Sequence, residues 1–462
     1  MNSTKKILSK ICLIALATTI VFVAKKTFAH DLPVFYRAPM LQDNISKDIK
    51  NWTSTLKVRY ANASTYKSHN SHYHTSPLLS IYGDLDLTKM GWWVDNPGTK
   101  TNAYWGNNSS AQMPPDSTAA NATDGKVAFF GHFKADEVSL HFQQNIASGL
   151  FVSIYAPYRE VRIEKISYKN LGTNSINVTT KDGSTTKTVD INNLLTNDLN
   201  AILTENGYKA KYDATDKKSG IPEVQINLGW QGFNNKSFGI IDSLAGTLQA
   251  GIICPCGHEI DQAKPFEVAL GSNNFWGFSA RGSGEVTIWK YLCIGAVAGA
   301  NVFLRQNRII RMKTHENQSG WFRLEQAKAN VDPGSMWDIG FYAKIEPLSG
   351  VSFLAGYSMN SQEEMTLDVR DGNFLQTRIN AGMAETNPVL VSQDYVVNHD
   401  DKIQSWHQHT LHAAFRIDGG SFFSRSIAPI LELEYDYPFY GKRSFRADAI
   451  SGTAGVKISL GF

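Results

Sequence analysis

The sequence predicts an all-β fold, a transmembrane up-and-down antiparallel β-barrel of about twelve strands. Three observations predict it. Apolar and polar residues alternate from residue 127 to the end of the chain, the connections alternate between short and long, and aromatic residues gather near the ends of the apolar faces.

The first 29 residues stand apart. Lys5, Lys6 and Lys10 precede the apolar run ICLIALATTIVFVA, and Thr27 and Ala29 are small residues at a cleavage point. That run is about 14 residues long, against the roughly 20 that a spanning helix needs, so residues 1–29 are expected to be a signal peptide. No later stretch approaches the roughly 18 apolar residues of a helical span, which leaves strands as the means of crossing a membrane.

Within residues 30–126, the stretch from 30 to about 50 and part of 89–126 are rich in Asn, Gly, Pro and Thr. The segment as a whole is expected to supply the first strand or strands, with the remainder serving as a lumenal plug, a tail or a surface loop. Two stretches compete for that strand: STLKVRYANAS, with Leu56, Val58 and Tyr60 on one face, and LLSIYGDLDL, with Leu79, Ile81, Leu85 and Leu87. One of them gives twelve strands. Both, with a further strand, give the alternative of fourteen.

Residues 127–462 are expected to be the barrel, with eleven strands at about 127–146, 149–169, 222–233, 246–255, 275–289, 293–312, 336–346, 350–368, 404–418, 428–440 and 450–462. Val224, Ile226, Leu228 and Trp230 alternate with Glu223, Gln225, Asn227 and Gln231; Leu431, Leu433 and Tyr435 alternate with Glu432, Glu434 and Asp436. Trp230, Trp276, Trp337, Tyr357, Phe439 and Phe462 lie toward strand ends, where rings at headgroup level belong. Short links near 147, 290 and 347 alternate with long ones at 170–221, 256–274, 313–335 and 370–403, the pattern of short periplasmic turns and long extracellular loops. The short link near 441–449 is the exception.

Two local features add detail. Leu150, Val152 and Ile154 have the opposite parity to Val161 and Ile163, so a bulge is expected near Pro157 to restore the lipid face. Within 170–221, Leu195, Leu199 and Ile202 recur at helical spacing ahead of Gly207, which predicts a short amphipathic helix that folds over the mouth or packs within its loop.

The chain carries a net charge of +3 with 19% charged residues, which gives no basis for nucleic-acid binding. Cys254, Cys256 and Cys293 lack the two-residue gap of zinc or redox pairs. His69, His72 and His74, and His407, His409 and His412, form two clusters that no acidic or thiol ligand completes within either stretch, so no metal and no cofactor is assigned. No G-x-S-x-G occurs and no Ser stands beside an ordered His and acid, so no catalytic residue is assigned and a non-enzyme is expected, with an outer-membrane hydrolase as the alternative.

Lumen parity selects Arg162, Arg281, Arg305, Arg311, Lys344, Arg416 and Lys457 as cations, and Glu164, Glu223, Glu285, Asp338, Glu346, Asp418, Glu432, Glu434 and Asp436 as anions. Charges are costly on a lipid face, so their confinement to one parity argues for a polar lumen. Their signs would either segregate across a pore or pair and close a narrow barrel.

The last strand, VKISLGF, places Val456, Ile458, Leu460 and Phe462 on one face. With this ending the chain resembles the Gram-negative outer-membrane β-barrel proteins. The resemblance implies residence in outer-membrane lipid, and a C-terminal strand read by the barrel assembly machinery. The function expected is porin-like passage of small polar solutes or ions. The alternatives are a surface structural or adhesive protein with an occluded barrel, and a transporter of apolar compounds with an N-terminal hatch.

Overall fold

The computed structural model describes residues 52–90, 124–147, 149–179, 186–235, 239–289, 291–313, 318–370, 397–421 and 427–459. The signal peptide, residues 30–51, and Leu460 and Phe462 of the insertion signal lie outside them. Twelve strands form one closed antiparallel ladder: β1 Thr53–Thr65, β2 Lys126–Ala147, β3 Leu150–Asn170, β4 Glu223–Asn234, β5 Ile241–Pro255, β6 Gly277–Ile288, β7 Leu292–Phe303, β8 Ser335–Leu348, β9 Val351–Gln362, β10 Trp406–Asp418, β11 Ile427–Lys442 and β12 Asp448–Ser459. Each pairs with its neighbours in sequence. β1 then closes the ring on β12, from Thr53 opposite Ser459 to Ser64 opposite Asp448. Closure leaves no edge, so every strand can satisfy its amides without water.

All the long connections leave one rim and the short turns leave the other, except that the short link 443–447 between β11 and β12 lies on the long-loop rim, as expected from the sequence. The stretch Thr53–Thr65 takes the first-strand position. The competing stretch forms a 3₁₀ turn at Leu78–Ser80 and a two-residue strand, Leu85–Asp86, that pairs antiparallel with the start of β2. Leu78, Leu79, Ile81, Leu85 and Leu87 are all buried whatever their parity, so this segment belongs to a core and not to a lipid face.

β2 and β3 span 22 and 21 residues, about twice the 9–11 that cross a bilayer. Their lower halves are apolar outside (Val138, Leu140, Ile154) and polar inside (Ser139, Ser153, Tyr155). Above the row that aligns Asn62, Asp136 and Glu160, the two faces exchange character. Ala63, Phe133, Ala135, Val161 and Ile163 are buried inside, while Lys134, Arg162 and Glu164 lie outside. No register shift occurs at Pro157. The bulge lies at Lys165–Ile166 opposite Gly131, with Lys165 at φ 56°. Val161 and Ile163 thus keep inward parity because at that height the interior is apolar.

That interior is a cap built by the loops. The predicted helix is present as a helical run over residues 191–205, with Leu195, Leu199 and Ile202 buried and Gly207 at φ 81° where the chain turns away. It joins one apolar core with Phe133 of β2, Phe266 and Phe275 from the β5–β6 loop, Trp321 and Phe322 from the β7–β8 loop, and Phe445. Phe266 is its hub, with ring centroids 5.4–5.6 Å from Phe322, Trp321 and Phe129.

The strand predicted at 293–312 is two elements, as is that at 350–368. Gln306–Met312 and Thr366–Val369 flank Glu325–Asp332 in a separate three-stranded sheet above the barrel. Buried Arg323 fastens the cap, binding Asp400 through Nε at 2.6 Å and Nη2, and donating to the Gly320 carbonyl at 2.7 Å. Arg311 joins three loops through the carbonyls of Asn206, Gln262 and Arg323, and stacks on Tyr208.

Candidate functional site

The barrel interior is the candidate site. On β1, Lys57 and Arg59 share the inward parity of Thr53 and Thr55, since Leu56, Val58 and Tyr60 are exposed on the other face. Arg159 of β3 binds Glu137 of β2 with two nitrogens, at 2.9 and 2.7 Å, and Tyr155 donates to the same carboxylate at 3.1 Å. Arg59 reaches over β12 to Glu434 at 3.1 Å and Asp436 at 3.9 Å, with Ser451 bridging.

A second group repeats the device on the opposite part of the ring. Lys344 of β8 binds Glu285 of β6 at 2.8 Å, and Arg281 of β6 binds Asp338 of β8 at 3.2 Å, both reaching over β7. The middle strand makes room with glycine. A Cβ at Gly295 would lie 2.1 Å from Tyr342, and one at Gly299 would lie 2.7 Å from Asp338. The ion pairs described in the lumen therefore run along the wall between strands that are adjacent or one apart.

Of the residues that parity selects, Glu223, Arg281, Glu285, Asp338, Lys344, Arg416, Glu432, Glu434, Asp436 and Lys457 point inward within the ring. Glu346 and Asp418 share that parity but sit at the turn rim, where their carboxylates accept from Gly350 N and Gly420 N. Four residues lie elsewhere. Arg162 and Glu164 face outward above the inversion, paired with Glu160 and Lys134. Arg305 is an exposed partner of Asp332 at the base of the loop sheet, and Arg311 is buried in the cap.

Parity reasoning missed Arg159 and Glu137, both buried in the wall. An unbroken period of two through Phe151, Ser153, Tyr155 and Pro157 would have found Arg159; the supposed bulge hid it.

One arrangement corrects the expectation about nucleophiles. Ser358 Oγ lies 2.7 Å from His412 Nε2, and His412 Nδ1 lies 2.6 Å from Asp436 Oδ1. The three residues come from β9, β10 and β11, with His412 directly opposite Asp436. Their order is that of an acyl-transfer triad. Ser358 is nevertheless fully buried, and its strand is paired on both sides, so the ladder engages the backbone donors that an oxyanion would need. The chain braces three strands. The carboxylates of Glu434 and Asp436 also approach within 4.8 Å of His412, a spacing that suits a cation, and Arg59 already supplies that charge.

Where the loops meet the lumen, the β5–β6 loop dips onto the wall. Ser272 N donates to Glu223 Oε2 at 2.8 Å, and Arg159 Nη1 donates to the Leu270 carbonyl. Gly271 lies so close that a Cβ there would stand 2.0 Å from Glu223. The same two wall charges thus hold a loop against the wall at β3 and β4.

The exterior decides the surroundings. Val58, Leu228, Leu248, Phe341, Leu433 and Ile450 stand exposed in a continuous band, bordered by Trp230, Trp289 and Tyr291 toward the turn rim and by Tyr158, Trp276, Phe439 and Tyr440 toward the loop rim. This is an outer-membrane barrel. The loop rim is extracellular and the turn rim periplasmic.

No family model matches the chain, and no curated protein does. Among solved structures, an outer membrane channel from Pseudomonas putida F1 aligns over 90% of this chain and 99% of its own, at 7% identity and a TM-score of 0.46. The translocator domain of the autotransporter NalP from Neisseria meningitidis aligns over 90% and 91%, at 9% identity and 0.33. A FadL homologue from Pseudomonas aeruginosa aligns over 88% and 90%, at 8% and 0.30. At these values the alignments carry no functional inference.

Proposed function

We propose that the barrel is a gated channel for small polar solutes or ions. The observation that carries this reading is the placement of the lumenal ion pairs, which run along the wall and need not break to leave an axial path. Twelve strands stand between the eight-stranded barrels that side chains fill and the sixteen-stranded porins that hold open water. Closure then falls to the cap, and the latch is the loop segment Leu270–Ser272 on Arg159 and Glu223. In this reading residues 1–29 direct export, and the C-terminal strand with Val456, Ile458, Leu460 and Phe462 is the assembly signal.

Single-channel recording on residues 30–462, refolded in a planar bilayer, tests it. The native chain should show rare discrete openings, and Glu223→Leu, which unlatches the loop, should raise open probability at least tenfold. Glu432→Lys should shift ion preference toward anions. A second reading, a surface protein with an occluded barrel, draws on the apolar core of the cap. An inserted, heat-modifiable barrel that stays silent in both native and Glu223→Leu forms would replace the channel with that reading.

A further inference from the structure

The loop sheet above the barrel carries an incompletely matched guanidinium. Arg308, on the strand Gln306–Met312, lies flat on the Phe275 ring with its Cζ 3.5 Å from the centroid, and its side chain is 6% exposed. Nη2 donates to Gln306 Oε1 at 2.7 Å. Nε is buried and makes no hydrogen bond among the described residues. The nearest carboxylate oxygen, Glu259 Oε1, is 3.7 Å away on a side chain that is 48% exposed. A buried donor without an acceptor is costly, and a native fold that keeps one invites a partner.

A small, partly open cleft lies beside this group, lined by Ile260, Gln262, Asn273, Ile309, Val331 and Met365 in addition to Arg308, Phe275 and Glu259. Its floor is fixed in shape. Asn273 Oδ1 accepts from Ile260 N at 2.8 Å, Gln262 Oε1 accepts from Arg311 N at 3.2 Å, and Asn273 and Asn274 both hold positive φ, at 47° and 63°. The walls present polar and apolar atoms in about equal measure around one oriented cation, with apolar side chains from Ile260, Ile309 and Val331 beside it.

We propose that this extracellular cleft binds a small organic carboxylate, with its anion on Arg308 and its apolar part against Ile309 and Met365. A planar guanidinium locked by stacking matches a carboxylate in a way that a lysine would not. One cation suits a monoanion better than a phosphate, which calls for more donors. Glu259 stands beside the same nitrogen as an internal competitor, and its exposed side chain is placed to swing away when the ligand arrives. The proposal is independent of conduction, since every residue in it lies above the membrane.

Benzoate is the probe, titrated calorimetrically into the folded barrel in detergent, with folding checked by heat-modifiable mobility. Benzoate should bind saturably, at least tenfold more tightly than its neutral isostere benzamide. Arg308→Gln should weaken benzoate at least tenfold, and Glu259→Gln should tighten it several-fold by removing the competitor. Ile309→Trp, which fills the cleft and keeps Arg308 in the chain, should abolish binding and guards against a misfolded Arg308 variant. Equal binding of benzamide, benzoate affinity indifferent to Arg308→Gln, or no binding to either the native chain or Glu259→Gln would overturn the proposal.

Discussion

The lower barrel and the upper barrel share strands, parity and register, yet they are opposite solutions to the same pattern. Along β3, the inward positions Ser153, Tyr155 and Arg159 are polar; the next inward positions, Val161 and Ile163, are apolar. The outward positions change from Ile154 and Tyr158 to Glu160, Arg162 and Glu164 over the same step. Below the step the exterior solvent is lipid and the interior holds polar groups. Above it the exterior is water, and the interior is filled by a cap that needs an apolar wall to pack on. Alternation therefore reports which residues share a face, while the medium on each side decides which face is greasy.

The sharpest way to separate the two regions is to remove the hub of the upper one. Phe266 is buried among Phe129, Trp321 and Phe322 in the cap. Phe266→Ala should lower the local stability of the cap by about 3–5 kcal/mol, the usual cost of emptying a packed aromatic site. Hydrogen exchange in residues 256–276 and 318–324 should accelerate, while amides of β7 to β9 below the cap stay protected. Equal loss of protection in both regions would mean that cap and barrel unfold as one cooperative unit, and the division into two solutions would be only descriptive.

Much of the lower region was legible because its constraint is simple. A lipid exterior forces apolar residues onto one parity, so Leu228, Leu433 and Phe341 identified their strands directly, and long and short links set the rims. Glu285, Asp338, Lys344, Glu434 and Asp436 followed from that parity. The upper region was illegible for the same physical reason. A rule that assigns apolar residues to lipid reads Val161 and Ile163 as lipid-facing, inserts a bulge to bring them there, and so turns Arg162 and Glu164 into the lumen and Arg159 out of it. LLSIYGDLDL misleads similarly, because a buried cap segment alternates well enough to pass for a strand. Ser358, His412 and Asp436 lie 54 and 24 residues apart in sequence, and only strand pairing brings them together.

A charge placed on the outer face measures the boundary from outside. Leu433 faces lipid in β11, opposite Gly452 and Phe415, whereas Asn62 faces outward in β1 at the height where Asp136 begins the polar exterior. Leu433→Arg should cost about 2–4 kcal/mol in urea unfolding from lipid vesicles, and Asn62→Arg should fall near 0–1 kcal/mol, as for an interfacial position. Similar costs at the two sites would place the upper edge of the membrane above Asn62 and move the inversion row into lipid.

The smallest effect expected is a pH dependence confined to the upper region. His69 lies on the short strand Lys67–His69, paired with Ser444–Phe445 and Thr75–Pro77 beyond the end of β1. Its side chain is buried, and neither ring nitrogen has a hydrogen-bond partner among the described residues. Burial, aided by Arg446, pushes its pKa down to about 4 from an ordinary 6.5. The opened segment binds a proton at 6.5 and the docked one only near 4, so docking is fully favoured above pH 6.5 and weakens as pH falls from 6.5 to 4. Proteolysis or hydrogen exchange within residues 66–77 should quicken over that window while the belt strands do not respond. In His69→Phe, which fills the same space without a titrating nitrogen, the segment should remain docked from pH 7 to pH 4. If the variant loosens over the same window as the native chain, the carboxylates of the loops and not this imidazole govern the opening.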